Sequence, residues 1–169
     1  DRRVVSFLKA QKFKIIELGF DLKHQISENI TITCIKDGFY DAGLLIQNGE
    51  EKILNLNDCE VTTPERAKEV KKVTGEVDVL LTQFSFAAWK GGQKNKKWRQ
   101  DAANEKLQTM KLQIDTYNPK AVIPFASFIY FSNTLNYYLN DAVNTPASIS
   151  KYFKSSDFLL CLMKPYDIV

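Results

Sequence analysis

Histidine is nearly absent from this chain: His24 is the only one in 169 residues, and it lies far in sequence from Cys59. A cysteine nucleophile needs a base beside it, so Cys59 reads as a packing residue. Cysteine itself is scarce. Cys34, Cys59 and Cys161 are an odd number without a Cys-x-x-Cys pair, which disfavours a disulfide framework and a zinc knuckle. Cys34 and Cys161 lie in apolar, strand-like runs and read as buried thiols. No apolar run reaches the roughly 18 residues that span a bilayer, and the amino end lacks the apolar core of a secretory signal. The expectation is a soluble, cytoplasmic protein with no membrane partner. A net charge of +3 is too small to imply a polyanion partner, and there is no internal repeat or low-complexity tract.

What is present is the composition of one folded domain: 44% hydrophobic, 12% aromatic and 25% charged residues. The amino end reads as a short helix from Arg3, followed by a strand at Lys14-Ile15-Ile16-Glu17-Leu18. Ile30 to Ile35 is β-branched and alternating, a strand pattern. Leu44-Leu45-Ile46 and Ile53-Leu54 flank Asn48-Gly49, a strong hairpin signal because both turn residues tolerate positive φ. Thr63-Pro64-Glu65 opens a charged helix running to about Lys72. Val77 to Phe84 reads as a strand buried on both faces. Residues 95–118 form the longest helix, stopped by Pro119, with Trp98, Ala102, Leu107, Met110, Leu112, Ile114 and Tyr117 at steps of three and four. Lys120 to Phe125 is another strand, Phe128 to Leu139 an aromatic loop, Thr145-Pro146 the start of a short helix, and Phe158 to Met163 a last strand. The pattern predicts an α/β (α+β) fold with a mixed β-sheet and helices on one face.

Asp58 stands at the exit of the second hairpin strand, where scaffolds present chemistry because side chains leave the packed sheet yet stay held by it. The alternative is a surface Asx turn with Asp58 capping the helix at Thr63-Pro64-Glu65. The run Trp89 to Arg99 holds five basic residues and two tryptophans. It reads as a solvated loop and helix start with the tryptophans turned to the core, rather than as a nucleic-acid contact.

Taken together, several blocks resemble the later half of metallo-β-lactamase-fold hydrolases, in the subgroup that includes CMP-N-acetylneuraminate hydroxylase. They are Ile53 to Cys59, Asp78 to Ser85, Val122 to Ser127, Tyr138 to Pro146 and Lys164 to Asp167, in order over residues 30–169. The resemblance implies one half of an αββα sandwich, so that residues 1–169 form a single domain, the carboxyl-terminal half of a longer protein. It implies a metal-dependent hydrolase, with zinc, iron or manganese at the strand ends of the complete protein and this chain inactive alone. Asp58 falls where the family places a carboxylate bridging two metals; Asp41 lies near a position that many members fill with histidine, which makes it a second candidate ligand or, as readily, a residue of the hairpin-edge turn. The departures are plain: no His-x-His-x-Asp-His loop exists here, and Phe125-Ala126-Ser127 stands where the last family histidine would follow Pro124. A metal-free binding domain for a polar or sugar-nucleotide ligand is the other reading. Gln83, Ser85, Tyr138 and Asn140, with Ser127, Asp141 and Asn144 nearby, are candidates as a group for holding a small polar substrate, while each taken singly reads first as satisfying loop backbone. Half of a sandwich would expose apolar residues such as Ile32, Leu45 and Leu80, so the expected partner is the missing amino-terminal half or a second copy of the chain.

Overall fold

The computed structural model describes residues 2–39, 41–126, 129–163 and 166–167. Helix α1 (Arg2–Ala10) comes first and buries none of its residues. Strands β1 (Lys23–Gln25), β2 (Ile30–Asp37), β3 (Asp41–Asn48) and β4 (Glu51–Asn57) then form an antiparallel meander. The β3–β4 turn sits at the expected Asn48-Gly49, with Gly49 at a φ of 59°, and pairs Leu45 with Leu54 and Ile46 with Ile53. The expected strand at residues 14–18 does not form. β1 takes the sheet edge beside β2, pairing His24 with Ile32, and leaves the earlier segment only a single bridge from Phe20 to Cys34.

From β4 onward the pairing turns parallel through β5 (Val79–Thr82), β6 (Ala121–Pro124) and β7 (Leu159–Leu160). Helix α2 (Pro64–Thr74) joins β4 to β5, α3 (Lys96–Tyr117) joins β5 to β6, and a 3-10 turn (Tyr137–Asp141) with α4 (Pro146–Tyr152) joins β6 to β7. Among the described residues the sheet has seven strands, and their order never reverses. Crossovers of one hand therefore put their helices on the same side of the sheet, as expected. Thr63 caps α2 by accepting a hydrogen bond from the Arg66 amide at 3.2 Å, and Thr145 and Ser148 cap α4 reciprocally, each ahead of a proline at the first helical turn. Asn118, left-handed at a φ of 51°, ends α3 just before Pro119.

The helices cover the sheet face bearing Ile35, Leu45, Leu54, Leu56, Leu80 and Val122, and Ala67, Val70, Leu107, Met110, Ile114, Tyr117 and Ile149 pack onto it. Register places Ile32, Ile46, Ile53, Val79, Ala121 and Leu159 in a row across the other face, with Leu44, Leu81 and Ile123 beside it. These residues are only half-buried or exposed. Leu45 and Leu80 therefore belong to the covered core, and the uncovered apolar face is made by their neighbours of opposite parity, since side chains alternate along a strand. For the same reason β5 is enclosed on one face, not two. The final strand is also shorter than expected, although the Cys161 amide still donates to the Val122 carbonyl at 2.9 Å.

Candidate functional site

At its exit β4 bulges: Asn55 faces Leu81 and Asn57 faces Thr82, so the intervening Leu56 has no partner on β5. Asn57 takes a φ of 39°, and its amide donates to the Asn55 carboxamide at 3.0 Å. A bulge re-aims the side chains that follow it. Asp58 comes next, on a loop pinned at three successive residues. The Cys59 amide donates to the Leu56 carbonyl at 2.7 Å, the Glu60 amide to the buried Asp37 carboxylate at 2.6 Å, and the Val61 carbonyl accepts from the Gln113 carboxamide at 3.1 Å. Arg66 in turn donates to Asp37 at 3.3 Å and to the Lys36 carbonyl. Asp58 caps no helix; Thr63 does that.

Asp58 is exposed, but not isolated. Gln83, one residue past β5, donates from Nε2 to Asp58 Oδ1 at 2.8 Å, and Lys106 of α3 donates from Nζ to Gln83 Oε1. Together with Asn57, Cys59, Glu60, Thr62, Thr82, Thr109 and Gln113 they line a cleft of about 200 Å³. That is below the roughly 300 Å³ at which small-molecule pockets begin, so the cleft by itself is too small to enclose a ligand of that kind. A larger groove of about 520 Å³, between the end of α3 and the α4–β7 connection, holds none of the expected site residues.

The other expected residues meet different fates. Ser85 is fully buried and accepts from the Asn144 amide at 3.0 Å. Asn140 brackets Phe131, accepting from its amide at 2.9 Å and donating to its carbonyl at 2.8 Å. Asn144 donates to the Phe84 and Ala103 carbonyls at 2.8 and 2.7 Å. Tyr138 donates to the Gly91 carbonyl at 3.1 Å and lies against Arg99, whose guanidinium carbon is 5.1 Å from the ring centre. Arg99 is fully buried, makes two bonds of 2.7 Å to Asp141, and donates to the Gly92 and Gln93 carbonyls at 2.7 and 3.2 Å. These groups close the loops at the strand ends. Ser127 and the Lys164-Pro165 dipeptide lie outside the described residues.

Asp41 opens β3 opposite Asp37 and is exposed. Its charge acts with those of Asp37 and Asp58 on the Cys59 thiol, which burial above all pushes up to about 12. Among the described residues no group of three or more His, Cys, Asp or Glu side chains is arranged to hold a metal ion. His24 is tied up at the opposite sheet edge, where its Nε2 lies 3.1 Å from the Gly19 amide.

Lys106 and Gln113 escaped the sequence reading, and Arg99, expected in a solvated helix start, is instead fully buried. They follow one another at seven-residue steps along the side of α3 that turns toward the sheet, and that spacing is the signal that could have found them. The tryptophans correct the reading in the other direction. Trp89 and Trp98 are 62% and 48% exposed and meet edge to face at 5.5 Å, so they pack on each other rather than into the core.

No protein-family model and no curated protein matches this sequence. Solved structures do match. CmlA, a diiron β-hydroxylase from Streptomyces venezuelae, superposes with a TM-score of 0.63 at 12% identity, over 92% of this chain and 34% of its own. Igni18, a metallo hydrolase from the archaeon Ignicoccus hospitalis, gives 0.59 at 13% identity, over 98% of this chain and 64% of its own. A Thermotoga maritima protein assigned as a zinc-dependent hydrolase of the metallo-β-lactamase superfamily gives 0.50 at 18% identity, over 86% of this chain and 69% of its own. The fold is therefore of the metallo-β-lactamase type, and the chain spans about a third of CmlA and under two thirds of Igni18. Among the described residues no helix is long and apolar enough to cross a membrane.

Proposed function

We propose that this chain is the carboxyl-terminal half of a metal-dependent, hydrolase-like protein of metallo-β-lactamase fold, and that Asp58 is its contribution to the metal centre. The observation that carries this reading is the fixed carboxylate at the bulged end of β4, held from the end of the adjacent parallel β5 by Gln83. Open sheets bind ligands at the carboxyl ends of their strands, and Asp58 and Gln83 both stand there. The donor chemistry fits in part. A carboxylate with one oxygen engaged by an amide and the other without a protein hydrogen bond among the described residues can serve a divalent zinc, iron or manganese ion. One carboxylate does not make a site, so the remaining ligands belong to the rest of the protein, with Asp41 the second candidate from this half. Such an ion, when bound, supplies Lewis acidity and lowers the pKa of a coordinated water. This chain's own groups orient the carboxylate and shape one wall, Gln83 directly and Ser85, Tyr138 and Asn140 by fixing the loops around a polar substrate.

The uncovered apolar face supports the same reading. A row from Ile32 to Leu159 is too extensive to leave in water, and the other half of a two-sheet sandwich is the partner whose shape it suits. The ordered sequence blocks further support kinship with the subgroup of CMP-N-acetylneuraminate hydroxylase. The test is the metal content of the purified full-length protein against its Asp58→Ala variant. Stoichiometric metal in the first and a clear loss in the second is expected. Equal content in both removes Asp58 from the centre, and ligand binding indifferent to chelators would favour a metal-free binding domain.

A further inference from the structure

Lys106 lines the Asp58 cleft and takes no part in the proposed metal centre. It is half-buried in α3, below Arg99 and above Gln113, and its ammonium donates to Gln83 Oε1. A lysine kept only for solubility would extend into water at no desolvation cost. Here burial, and then the charge of Lys90, push its ammonium below the ordinary lysine range, against the pull of Asp58, Glu60 and Glu105.

An ammonium group can only donate, so whatever faces it must accept. That requirement fixes the Gln83 carboxamide: Oε1 turns to Lys106, and Nε2 turns to Asp58. The reversed amide would set its NH₂ against an ammonium and its carbonyl against a carboxylate, two like-to-like contacts in place of two hydrogen bonds. Nε2 then commits Asp58 Oδ1 at 2.8 Å, and Oδ2 carries no protein hydrogen bond among the described residues. Each link is directional, and the base of each is rigid: Lys106 stands in mid-helix, Gln83 follows a paired strand, and the Asp58 loop is pinned at residues 59–61.

We propose that Lys106 is a positioning residue, which through the Gln83 carboxamide fixes the rotation of the Asp58 carboxylate and so presents one committed and one available oxygen to the cleft. The role toward a cation rests on the reading of Asp58 as a metal ligand; the hydrogen-bonded chain itself does not. Groups that orient a metal ligand from behind are worth about 10- to 100-fold in metal affinity.

Two measurements on the full-length protein decide it. In ¹⁵N spectra, Lys106→Met should move the Gln83 side-chain amide resonances and Lys106→Arg should leave them nearly in place, because arginine can still donate to Oε1. In zinc competition titrations, Lys106→Met and Gln83→Leu should each weaken binding about tenfold, with the double variant no worse than either alone, since both cut the same chain of bonds. Unmoved Gln83 resonances in Lys106→Met, or additive losses in the double variant, overturn the proposal. Zinc affinity lost in Asp58→Ala but retained in Lys106→Met also overturns it while sparing the metal reading. Affinity unchanged in Asp58→Ala sinks the metal reading, and with it the task assigned to Lys106.

Discussion

Arg99 offers the sharpest test of how the strand-end loops are held. Its guanidinium is fully buried and makes two bonds of 2.7 Å to Asp141, with two further bonds to the Gly92 and Gln93 carbonyls. Replacing it by methionine keeps much of the stem's volume but leaves a partly buried carboxylate and two loop carbonyls without their donor. Breaking a buried ion pair from one side costs about 3 to 5 kcal/mol. With a urea slope of about 2 kcal/mol/M, Arg99→Met should lower the unfolding midpoint by about 2 M. Arg99→Lys should recover little, because a single ammonium cannot satisfy a bidentate carboxylate and two carbonyls together. The pH dependence adds an independent check. The hydrogen bond from Arg99 holds the Asp141 carboxyl below the ordinary carboxylate range. A depressed acid contributes stability that is fully present above its unfolded value, near pH 4, and is lost as pH falls through the lower folded value. The stability gap between the wild type and Arg99→Met should thus be steady from pH 5 to 8 and narrow below about pH 4. A midpoint shift equivalent to less than about 1 kcal/mol, or a gap that widens in acid, would refute the clamp as described.

Two further outcomes follow from burial and register. Cys59, buried and with its thiol pushed up to about 12, should resist a thiol-specific disulfide reagent at pH 8 until denaturant is added. Labelling in the native state as fast as that of a free thiol would contradict its packing role. On the uncovered face, Ile46→Lys should leave the folding of this chain nearly intact yet, if another layer covers that face as proposed, abolish packing against it, because Ile46 lies in the middle of the apolar row and points away from the helices. Sedimentation and thermal melts of both forms would show it, and an unaltered full-length assembly would mean that nothing packs there.

The hairpin, the three parallel strands and their helices were legible because each is written in local chemistry: β-branched alternation in β2, Asn48-Gly49 between β3 and β4, and Thr-Pro ahead of α2 and α4. Parity was harder to read. Leu44, Leu45 and Ile46 are equally apolar, and only the pairing of Leu45 with Leu54 in the core beneath the helices decides which of them is buried. The segment at residues 14–18 has the composition of a strand but lost its edge to β1, a competition that no local pattern records. The candidate site divides in the same way. Asp58 could be found from its place after a hairpin, whereas its contact with Gln83 depends on the parallel register of β4 and β5, set by a crossover through all of α2.

Helix α3 shows how a site is written into a scaffold. Counting only apolar residues makes Trp98 and Leu112 part of its buried stripe, yet Trp98 is 48% exposed and Leu112 only partly buried, while Arg99 and Gln113 are enclosed. Ordinarily a buried arginine or glutamine weakens a helix–sheet interface, because each polar atom must find a partner or cost about 1 to 3 kcal/mol. Here all three polar members of the stripe find theirs at strand ends or in the loops beyond them: Arg99 in Asp141 and the loop carbonyls, Lys106 in Gln83, Gln113 in Thr82 and Val61. A purely apolar stripe would pack this sheet as well or better. The polar seven-residue repeat makes sense when the helix must also hold the loops at the carboxyl end of the sheet in one geometry. On that reasoning Gln113→Leu, which fits the core but leaves the Val61 carbonyl and the Thr82 hydroxyl without their partner at about 1 to 3 kcal/mol each, should lower the melting temperature by several degrees or more and also loosen the Asp58 loop. Hydrogen exchange at the Cys59 and Glu60 amides would register the difference, and unchanged protection there would argue that α3 serves the core alone.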